Sequence, residues 1–279
     1  MIMVSELKQG IIQCVEDVKK NNPMVGSVTN TVTINFVANA QIAVGGSASC
    51  VYMPDEAETL VEKGDSFYIN LGTILPIYED TLPQAGRLLS DTHKNWVLDP
   101  VAVGIGSLRT RLLRQFNAYK PTIIKGNASE ILALAGLWGL EGGQAASKVR
   151  GVDSTELVEE ATEAAKSIAE HTEGVCVVSG KEDLITDGRR VVRVKGGHEI
   201  LANITGSGCA LGGVIAIYAT QVEDPFIAAL TGVQVFKKAS EKAAADSQGP
   251  GTFQARFLDY LHNLTPEEIA DNEFELVEE

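Results

Sequence analysis

Apolar and polar residues alternate along the chain with two different periods, which predict a succession of helices and strands. Apolar residues recur at helical spacing across 5–20, which predicts an amphipathic helix. The segment 174–179 is instead a short run rich in valine, typical of a strand buried on both faces of a parallel sheet. Helical segments and short apolar runs alternate through most of the chain. We therefore predict an α/β fold with a mostly parallel central sheet flanked by helices, in one domain spanning 1–279.

Three segments depart from this alternation. Asp187-Gly188 is a strong signal for a tight turn, so we predict a β-hairpin within 183–195. The glycine-containing stretch 141–152 predicts a loop. The last segment, 265–279, is rich in acidic residues and contains neither lysine nor arginine, which predicts a frayed acidic tail.

The composition makes the surface of this protein strongly acidic. The 279 residues carry a formal net charge of −14, and 44% of them are hydrophobic. Such a charge repels nucleic-acid phosphates and anionic membranes, so we expect neither as a partner. The longest apolar run, near 209–220, is too short to span a bilayer, and the acidic N-terminal segment is unlike a signal peptide. The four cysteines are far apart in sequence, which indicates reduced thiols in the cytoplasm.

A glycine-rich turn before a long apolar helix is the first candidate for chemistry. Gly206 and Gly208 allow unusual backbone angles and a close approach by a ligand. The first amides of the following helix have no partner within the helix and carry partial positive charge, so they form a potential phosphate site. Cys209 lies in this first turn, where the same field favours a thiolate. The structural alternative is a glycine turn before a buried helix, with Cys209 as a small hydrophobic residue.

Two further segments carry polar side chains where predicted strands end. Asp99 ends one strand, and the segment 125–130, with Lys125 and Glu130, follows another. Because the carboxyl ends of parallel strands meet at one edge of a sheet, we expect all three polar segments to converge there. A turn or helix cap at Asp99, next to Pro100, is the structural alternative.

Together these segments supply the groups that phosphoryl transfer from a nucleotide needs. The helix start provides amides, Lys125 can neutralise a phosphate, and Cys209 stands where a proton acceptor is useful. Asp99 and Glu130 carry oxygen ligands of the kind that Mg²⁺ prefers, directly or through water. The chain has no GxxxxGK[ST] motif, so it is not a P-loop enzyme, and no GxGxxG motif follows its first strand.

Other polar residues have simpler structural interpretations. The helix predicted at 107–116 contains Arg109, Arg111 and Arg114, which we expect on a solvated face. A lone histidine, His198, follows two glycines and is expected to be a surface or structural residue. Neither feature is needed for the chemistry predicted at the strand ends.

Several motifs considered together give the chain a resemblance to a known family. The chain resembles the hydroxyethylthiazole kinases of thiamine salvage, whose fold is ribokinase-like, over 23–264. Any one motif alone is weak, and together they are specific. The motifs are Ser27-Val28-Thr29-Asn30 with Asn35-Phe36-x-Ala38-Asn39, Leu98-Asp99-Pro100-Val101, Lys125-Gly126-Asn127-Ala128-x-Glu130, Thr205-Gly206-Ser207-Gly208-Cys209, and Gly249-Pro250-Gly251-Thr252-Phe253.

The resemblance implies an activity, its cofactor and an assembly. Members of this family transfer a phosphoryl group from ATP, with Mg²⁺, to the hydroxyl of 5-(2-hydroxyethyl)-4-methylthiazole. The product is 4-methyl-5-(2-phosphoethyl)thiazole. The resemblance also implies a homotrimer with active sites between its subunits.

Individual residues take roles by their position in the family motifs. Cys209 matches the catalytic cysteine near the substrate hydroxyl, and Asp99 and Glu130 match the acids around the metal ion and the phosphates. The other matched positions are Cys50, Gly206 and Asn30 for the substrate, and Lys125, Ser179, Gly208 and Asn127 for ATP.

Four positions depart from what is common in the family. Lys125 replaces an arginine and Ser179 replaces a threonine, which keeps the charge and the hydroxyl but loses the bidentate geometry of arginine. Cys50 stands where a methionine often contacts the thiazole, and Gly26 stands where a histidine is common. The changes at Cys50 and Gly26 are expected to reshape the substrate pocket.

Three other functions stay open at this point. A related vitamin kinase would phosphorylate a hydroxymethylpyrimidine or a pyridoxal-like alcohol, although the asparagine-rich segment 30–39 resembles the thiazole kinases. A nucleotide-dependent dehydratase on the same fold would usually carry aspartate at the position of Cys209. A non-catalytic sensor of azoles or nucleotides would have no reaction rate for Cys209 to influence.

Overall fold

The computed structural model describes residues 4–145 and 156–277, so the loop predicted at 141–152 lies only partly within the described residues. The strands are β1 (Met24–Val28), β2 (Ser47–Cys50), β3 (Ser66–Asn70), β4 (Trp96–Asp99), β5 (Ile123–Asn127), β6 (Val175–Ser179), β7 (Asp183–Thr186), β8 (Val191–Val194) and β9 (Phe274–Val277). The helices are α1 (Val4–Asn21), α2 (Ile34–Ala43), α3 (Pro54–Lys63), α4 (Tyr78–Asp91), α5 (Ser107–Tyr119), α6 (Ala128–Trp138), α7 (Glu156–Thr172), α8 (Ser207–Tyr218), α9 (Pro225–Ala245), α10 (Pro250–Asn263) and α11 (Pro266–Ala270), and a 3-10 helix spans Glu199–Asn203.

The described strands form one sheet in the order β2-β1-β3-β4-β5-β6-β7-β8-β9. β1 to β6 pair in parallel, and β7, β8 and β9 add an antiparallel edge. This confirms the predicted mostly parallel sheet, and β7 and β8 form the hairpin predicted within 183–195. The carboxylate of Asp187 fixes the hairpin turn by accepting the amides of Arg189 at 2.9 Å and Arg190 at 2.6 Å.

Helices cover both faces of the sheet, because successive strand residues direct side chains to opposite sides. In β3, Phe67 and Ile69 join the core beneath α3 to α7, whereas Tyr68 lies on the other face. On that second face α8 is buried almost all round and packs on β3 and β4, with α1, α2, α9 and α10 around it. The core therefore fixes the turn before α8 relative to the sheet. None of the helices described is both long and apolar enough to cross a membrane.

The C-terminal acidic segment is folded, so the prediction of a frayed tail at 265–279 is wrong for 265–277. Thr265 caps α11 by accepting the amide of Glu268 at 3.2 Å, and Ile269 is buried in the core. β9 then pairs antiparallel with β8 at the edge of the sheet. The acidic residues in the first turn of α11 are favourable near the positive end of the helix dipole, so the charge of this segment is compatible with order.

Arg109 is buried, which corrects its predicted place on a solvated face. Its guanidinium donates to the carbonyl oxygens of Leu71 at 2.9 Å and Gly72 at 2.6 Å, and to a third carbonyl in the loop after β4. Arg111 does lie on the solvated face, where it forms an exposed ion pair with Glu79. Arg109 instead joins the loops that follow β3 and β4.

Replacing Arg109 by methionine is expected to lower the free energy of unfolding by about 1–3 kcal/mol, the cost of leaving buried carbonyl groups without donors. The matched change Arg111→Met, on the same helix, is expected to cost less than about 1 kcal/mol because exposed ion pairs contribute little. Urea unfolding of both variants compares the two effects. Equal losses would mean that Arg109 contributes no more than a surface charge.

Candidate active site

The parallel strands place the predicted site residues along one edge of the sheet, at their carboxyl ends. The register aligns these ends, so that Asn127 of β5 lies beside Ser179 of β6. The predicted convergence of the strand-end segments is confirmed. The polar residues at this edge are Asn30 after β1, Cys50 at the end of β2, Asn70 at the end of β3, Asp99 at the end of β4, Lys125 and Asn127 in β5, and Ser179 at the end of β6.

The turn at Gly206 leads directly into α8, as the glycine spacing predicts. Gly206 has a φ of +90°, and a Cβ there would lie 2.6 Å from the side chain of Thr33, so glycine satisfies both the backbone angle and the contact. No side chain in the described part of the chain caps this helix. The amides of Ser207, Gly208 and Cys209 are therefore available at the edge of the sheet. These three amides form the amide cradle.

Lys125 lies inside β5 and not in the loop after it, which corrects its predicted position. Its Nζ is buried 3.6 Å from Asp99 Oδ2, and it lies 3.2 Å from the place where a Cβ of Gly208 would stand. Burial alone would lower the pKa of Lys125, but the carboxylates of Asp99 and Glu130 outweigh burial and raise the pKa above its usual value. Lys125 is therefore charged at neutral pH, directly beside the amide cradle.

Asp99 is the buried carboxylate of the site. Its Oδ2 accepts from Asn70 Nδ2 at 2.9 Å and lies 3.2 Å from the hydroxyl of Tyr68, while Lys125 approaches from β5. Burial, partly offset by Lys125, raises the pKa of Asp99 to about 6. The second oxygen, Oδ1, is buried and has no hydrogen-bond partner among the described residues. A carboxylate oxygen in that state is costly unless a ligand pairs with it.

The raised pKa of Asp99 predicts a pH-dependent difference in stability from the variant Asp99→Asn. At pH values between its ordinary pKa of 3.8 and its folded-state pKa of about 6, Asp99 is protonated to a greater extent in the folded chain than in the unfolded chain. Its contribution to stability therefore falls as the pH rises through this window, whereas asparagine does not titrate. We expect the wild type to lose up to about 3 kcal/mol relative to the variant between about pH 4 and about pH 6. Urea unfolding across this range measures the difference, and a constant difference would contradict the raised pKa.

Glu130 and Asn127 cap α6 reciprocally. Asn127 Oδ1 accepts the amide of Glu130 at 2.9 Å, and Glu130 Oε2 accepts the amide of Asn127 at 2.9 Å. Glu130 Oε1 accepts the amide of Ala102 at 3.2 Å, in a loop where Ala102 has a φ of +61°. Glu130 thus holds the loop after β4 near Asp99, and its charge contributes to the raised pKa of Asp99. Because both oxygens already accept amides, contact with a metal ion through water suits Glu130 better than a direct bond.

A closed chain of hydrogen bonds joins β1, β3 and α8. Asn30 Nδ2 donates to Asn70 Oδ1 at 2.8 Å and to Cys209 Sγ at 3.4 Å. Asn70 Nδ2 donates to Tyr68 Oη at 3.0 Å, and the Tyr68 hydroxyl donates to the carbonyl oxygen of Cys209 at 2.8 Å. Asn30, Asn70 and Tyr68 are all buried. Such a satisfied network rigidifies the structure, and here it holds the thiol and the first turn of α8.

Cys209 is half-buried in the first turn of α8, and the prediction that this position favours a thiolate is wrong. Burial first, and then the negative charge of Asp99, raise the pKa of Cys209 above its ordinary value of 9.0. Lys125 lowers the pKa but does not offset the other two. Cys209 is therefore a neutral thiol at neutral pH and accepts a hydrogen bond from Asn30.

Cys50 and Gly26 lie in different surroundings. Cys50 is half-buried at the edge of the sheet, near Tyr78, and burial raises the pKa of its thiol. Gly26 is buried in β1, where a Cβ would lie 2.6 Å from the ring of Phe67 and 2.8 Å from Leu60 Cβ. A side chain at Gly26 would enter the core beneath α3, so the predicted effect of Gly26 on the substrate pocket is wrong. Cys50, in contrast, lies at the end of β2, on the edge of the sheet that carries the other site residues.

Ser179 and His198 make local contacts. Ser179 is half-buried at the end of β6, and its hydroxyl donates to the carbonyl oxygen of Gly126 at 3.3 Å. His198 is exposed and caps the 3-10 helix by accepting the amide of Ile200 at 3.2 Å. The expectation of a surface or structural role for His198 is confirmed.

Two residues of the network, Asn70 and Tyr68, are missing from the sequence prediction. Both lie in β3, whose composition is typical of a plain buried strand. The amide of Asn70 offers a usable signal, because a polar side chain in a buried strand is costly without partners. Tyr68 offers none, since tyrosine is common in strands.

The mostly parallel sheet flanked by helices, with the amide cradle at its carboxyl edge, is a ribokinase-like fold. A pyridoxal kinase from Staphylococcus aureus, solved in complex with ADP, matches with a TM-score of 0.57 and 16% identity, over 78% of this chain and 88% of that chain. A ribokinase-like superfamily protein from Enterococcus faecalis V583 matches with a TM-score of 0.62 and 14% identity, over 87% and 88% of the two chains. Likenesses at such identities establish the fold.

Relatives with higher identity establish the family. The sequence profile of the hydroxyethylthiazole kinase family matches residues 15–267. A hydroxyethylthiazole kinase from Bifidobacterium longum subsp. infantis is 43% identical, over 96% of this chain and 91% of its own length. A hydroxyethylthiazole kinase from Pyrococcus horikoshii OT3 has a solved structure with a TM-score of 0.86 and 29% identity, over 97% of this chain and 100% of that chain. The chain belongs to the hydroxyethylthiazole kinase family, a family of kinases.

Proposed function

We propose that this protein transfers the γ-phosphoryl group of ATP to the hydroxyl of 5-(2-hydroxyethyl)-4-methylthiazole, forming 4-methyl-5-(2-phosphoethyl)thiazole for thiamine biosynthesis and salvage. The observation that carries the proposal is the amide cradle beside the Asp99–Lys125 pair, with the Cys209 thiol in the same turn. Phosphoryl transfer requires such groups, and membership of the family favours the thiazole alcohol as acceptor. We take 1–279 as one domain working in the cytoplasm, where its four free cysteines stay reduced.

On the acceptor side, we assign Cys209 to the hydroxyl of the substrate. The alcohol loses its proton as its oxygen attacks the γ-phosphorus, and Cys209 Sγ is the group that receives this proton. Only the thiolate form of Cys209 can accept this proton. Because the pKa of Cys209 is raised, the thiolate is a small fraction at neutral pH but a strong base. Asn30, which contacts the thiol, Gly206 in the turn before α8, and Cys50 at the end of β2 are assigned to the thiazole.

On the donor side, we assign Lys125 and the amide cradle, with Gly208, to the phosphates. The charge of Lys125 and the dipoles of the amides are fixed before the reaction, so they can stabilise the transferring phosphoryl group without reorganisation. Ser179 and Asn127 lie next to each other on β6 and β5 and are assigned to ATP as well. The side-chain oxygen of Asn127 is occupied in the cap of α6, which leaves its exposed Nδ2 as the donor for ATP.

Mg²⁺ fits the acidic side of the site. Asp99 Oδ1 is a buried carboxylate oxygen without a partner in the described chain, which is the kind of ligand that Mg²⁺ prefers, and Glu130 would take part through water. In the described ranges no three acidic, histidine or cysteine side chains form a metal cluster. An ion held by one or two carboxylates, water and substrate phosphates agrees with this arrangement. Bound Mg²⁺ supplies neutralisation of the charge on the phosphate oxygens.

A homotrimer with active sites between subunits is part of the proposal. Val32, Met53 and Ile105 follow β1, β2 and β4 at the edge that carries the site, and they are 71%, 47% and 49% exposed. Contact with another subunit would remove these apolar side chains from water, which favours an interface on this side of the molecule. Light scattering after size exclusion measures the mass, and a single chain of 29.7 kDa in solution would contradict the trimer.

Turnover with a panel of alcohols tests the proposed function. The protein is given Mg²⁺-ATP with the thiazole alcohol, a hydroxymethylpyrimidine or pyridoxal, and both ADP and the phosphorylated alcohol are measured. We expect the highest kcat/KM with the thiazole alcohol. A higher value with the pyrimidine or pyridoxal would assign a related vitamin kinase. Formation of ADP without any phosphorylated alcohol would favour a dehydratase, and the absence of both products would favour a sensor.

A further inference from the structure

The hydroxyl of Tyr68 lies where β3 meets the first turn of α8. It lies 2.8 Å from the carbonyl oxygen of Cys209 and 3.2 Å from Asp99 Oδ2, and it accepts from Asn70 Nδ2 at 3.0 Å. A phenol has one hydrogen, so the two acceptor oxygens share it. Tyr68 is fully buried and does not reach the surface where substrates bind. Its hydroxyl nevertheless contacts two residues to which the proposed reaction assigns roles.

Packing alone does not account for a tyrosine at this position. A Cβ at position 212 would lie 2.7 Å from Tyr68 Cε2 and 2.8 Å from Tyr68 Oη, which is too close. Helix α8 therefore leaves room for the phenol only because residue 212 is glycine. A buried hydroxyl costs free energy unless it is bonded, and phenylalanine would provide the same ring without that cost. The hydroxyl itself therefore has a role.

We propose that Tyr68 is a positioning residue for phosphoryl transfer, whose hydroxyl holds the Asp99 carboxylate and the first turn of α8 in a fixed relation. This inference rests on the proposed function. Through the carbonyl of Cys209, Tyr68 holds the turn that carries both the thiol and the amide cradle. By contacting Asp99 Oδ2, the Tyr68 hydroxyl helps to confine the hydrogen bonds of the carboxylate to that oxygen. The other oxygen, Oδ1, then stays available for a cation. A misplacement of about 1 Å between reacting groups can cost about a hundredfold in rate.

The substitution Tyr68→Phe removes the hydroxyl and keeps the ring. We expect kcat to fall about 10- to 100-fold, as when a residue that orients a metal-binding carboxylate is lost. The KM for Mg²⁺-ATP is expected to rise by a smaller factor than kcat falls, because most of the lost interaction is made in the transition state. The second readout needs no turnover: calorimetry measures ADP affinity with and without Mg²⁺, and the gain due to Mg²⁺ is expected to shrink.

Two further variants separate the hydroxyl from packing. Tyr218→Phe changes another buried tyrosine, at the far end of α8, and is expected to leave kcat and the Mg²⁺-dependent gain unchanged. Tyr68→Val combined with Gly212→Ala returns part of the lost volume without a hydroxyl, and is expected to lose as much kcat as Tyr68→Phe. Thermal unfolding of each variant accompanies these measurements.

An unchanged kcat or an unchanged Mg²⁺-dependent gain in Tyr68→Phe would overturn the proposal, as would equal losses in Tyr218→Phe. Failure of the proposed function is a distinct outcome, because in that case the wild type itself phosphorylates none of the alcohols. The calorimetric readout then still decides whether Tyr68 orients Asp99 toward a cation.

Discussion

Replacing Cys209 by alanine is expected to lower kcat for the thiazole alcohol by about 10²- to 10⁴-fold, the usual contribution of a positioned proton-transfer group. The variant removes Sγ, which accepts from Asn30 Nδ2 at 3.4 Å, and keeps the backbone amide of the cradle. ATP is therefore expected to bind as before. Measurement of phosphorylated thiazole gives the rate, and calorimetry with ATP gives the affinity. Near-normal turnover would remove Cys209 from the mechanism.

The pH dependence of the rate distinguishes a proton acceptor from a residue that only contacts the substrate. Burial and Asp99 raise the pKa of Cys209, so its thiolate fraction is small at neutral pH and grows as the pH rises. We expect kcat/KM of the wild type to rise between about pH 7 and about pH 9, and Cys209→Ala to lack this rise. Cys209→Ser is the control, because its hydroxyl keeps the shape but does not ionise in this range. A flat profile for the wild type would contradict proton transfer to the thiol.

Most of the fold is predictable because its signals are local. The valine-rich run of β6 and the helical spacing of α1 each lie within one element, and Asp187-Gly188 marks the hairpin turn by itself. The segment 265–277 is different, because its order depends on distant partners. β9 pairs with β8, and Ile269 is buried in a core formed by helices from elsewhere in the chain. Net charge alone cannot reveal such partners.

The residues of the candidate site also divide into those with a local signal in the sequence and those that depend on distant partners. Asp99, Lys125 and Cys209 are predictable, because each lies near the end or start of a clear element and parallel strand ends meet at one edge. Tyr68 and Asn70 are not, because the role of Tyr68 arises from a contact with Cys209, 141 residues later in the chain. The protonation state of Cys209 also depends on burial and on Asp99, which the local sequence does not reveal. The predicted position of Cys209 in the first turn of α8 is therefore correct, whereas its predicted ionised state is wrong.

Replacing Lys125 by methionine is expected to reduce both stability and turnover. The ammonium lies 3.6 Å from Asp99 Oδ2, and both side chains are buried, so the variant leaves a buried carboxylate without its cation. Breaking such a pair costs about 3–5 kcal/mol in free energy of unfolding. Loss of a preorganised charge from the transition state lowers kcat by about 10²- to 10³-fold. Urea unfolding and turnover measure the two effects, and Lys125→Arg, which keeps the charge, is expected to lose less of both.

The double variant Lys125→Met with Asp99→Asn separates the two effects. With both charges of the pair removed, no member of it stays buried and unpaired, so most of the stability lost in Lys125→Met is expected to return. Turnover is not expected to return, because the phosphates lack the lysine and the cation lacks its carboxylate. If turnover returned with stability, Lys125 would serve only to neutralise Asp99, and its assignment to the phosphates would be wrong. If stability did not return, the two side chains would not be coupled through their charges, although they lie 3.6 Å apart.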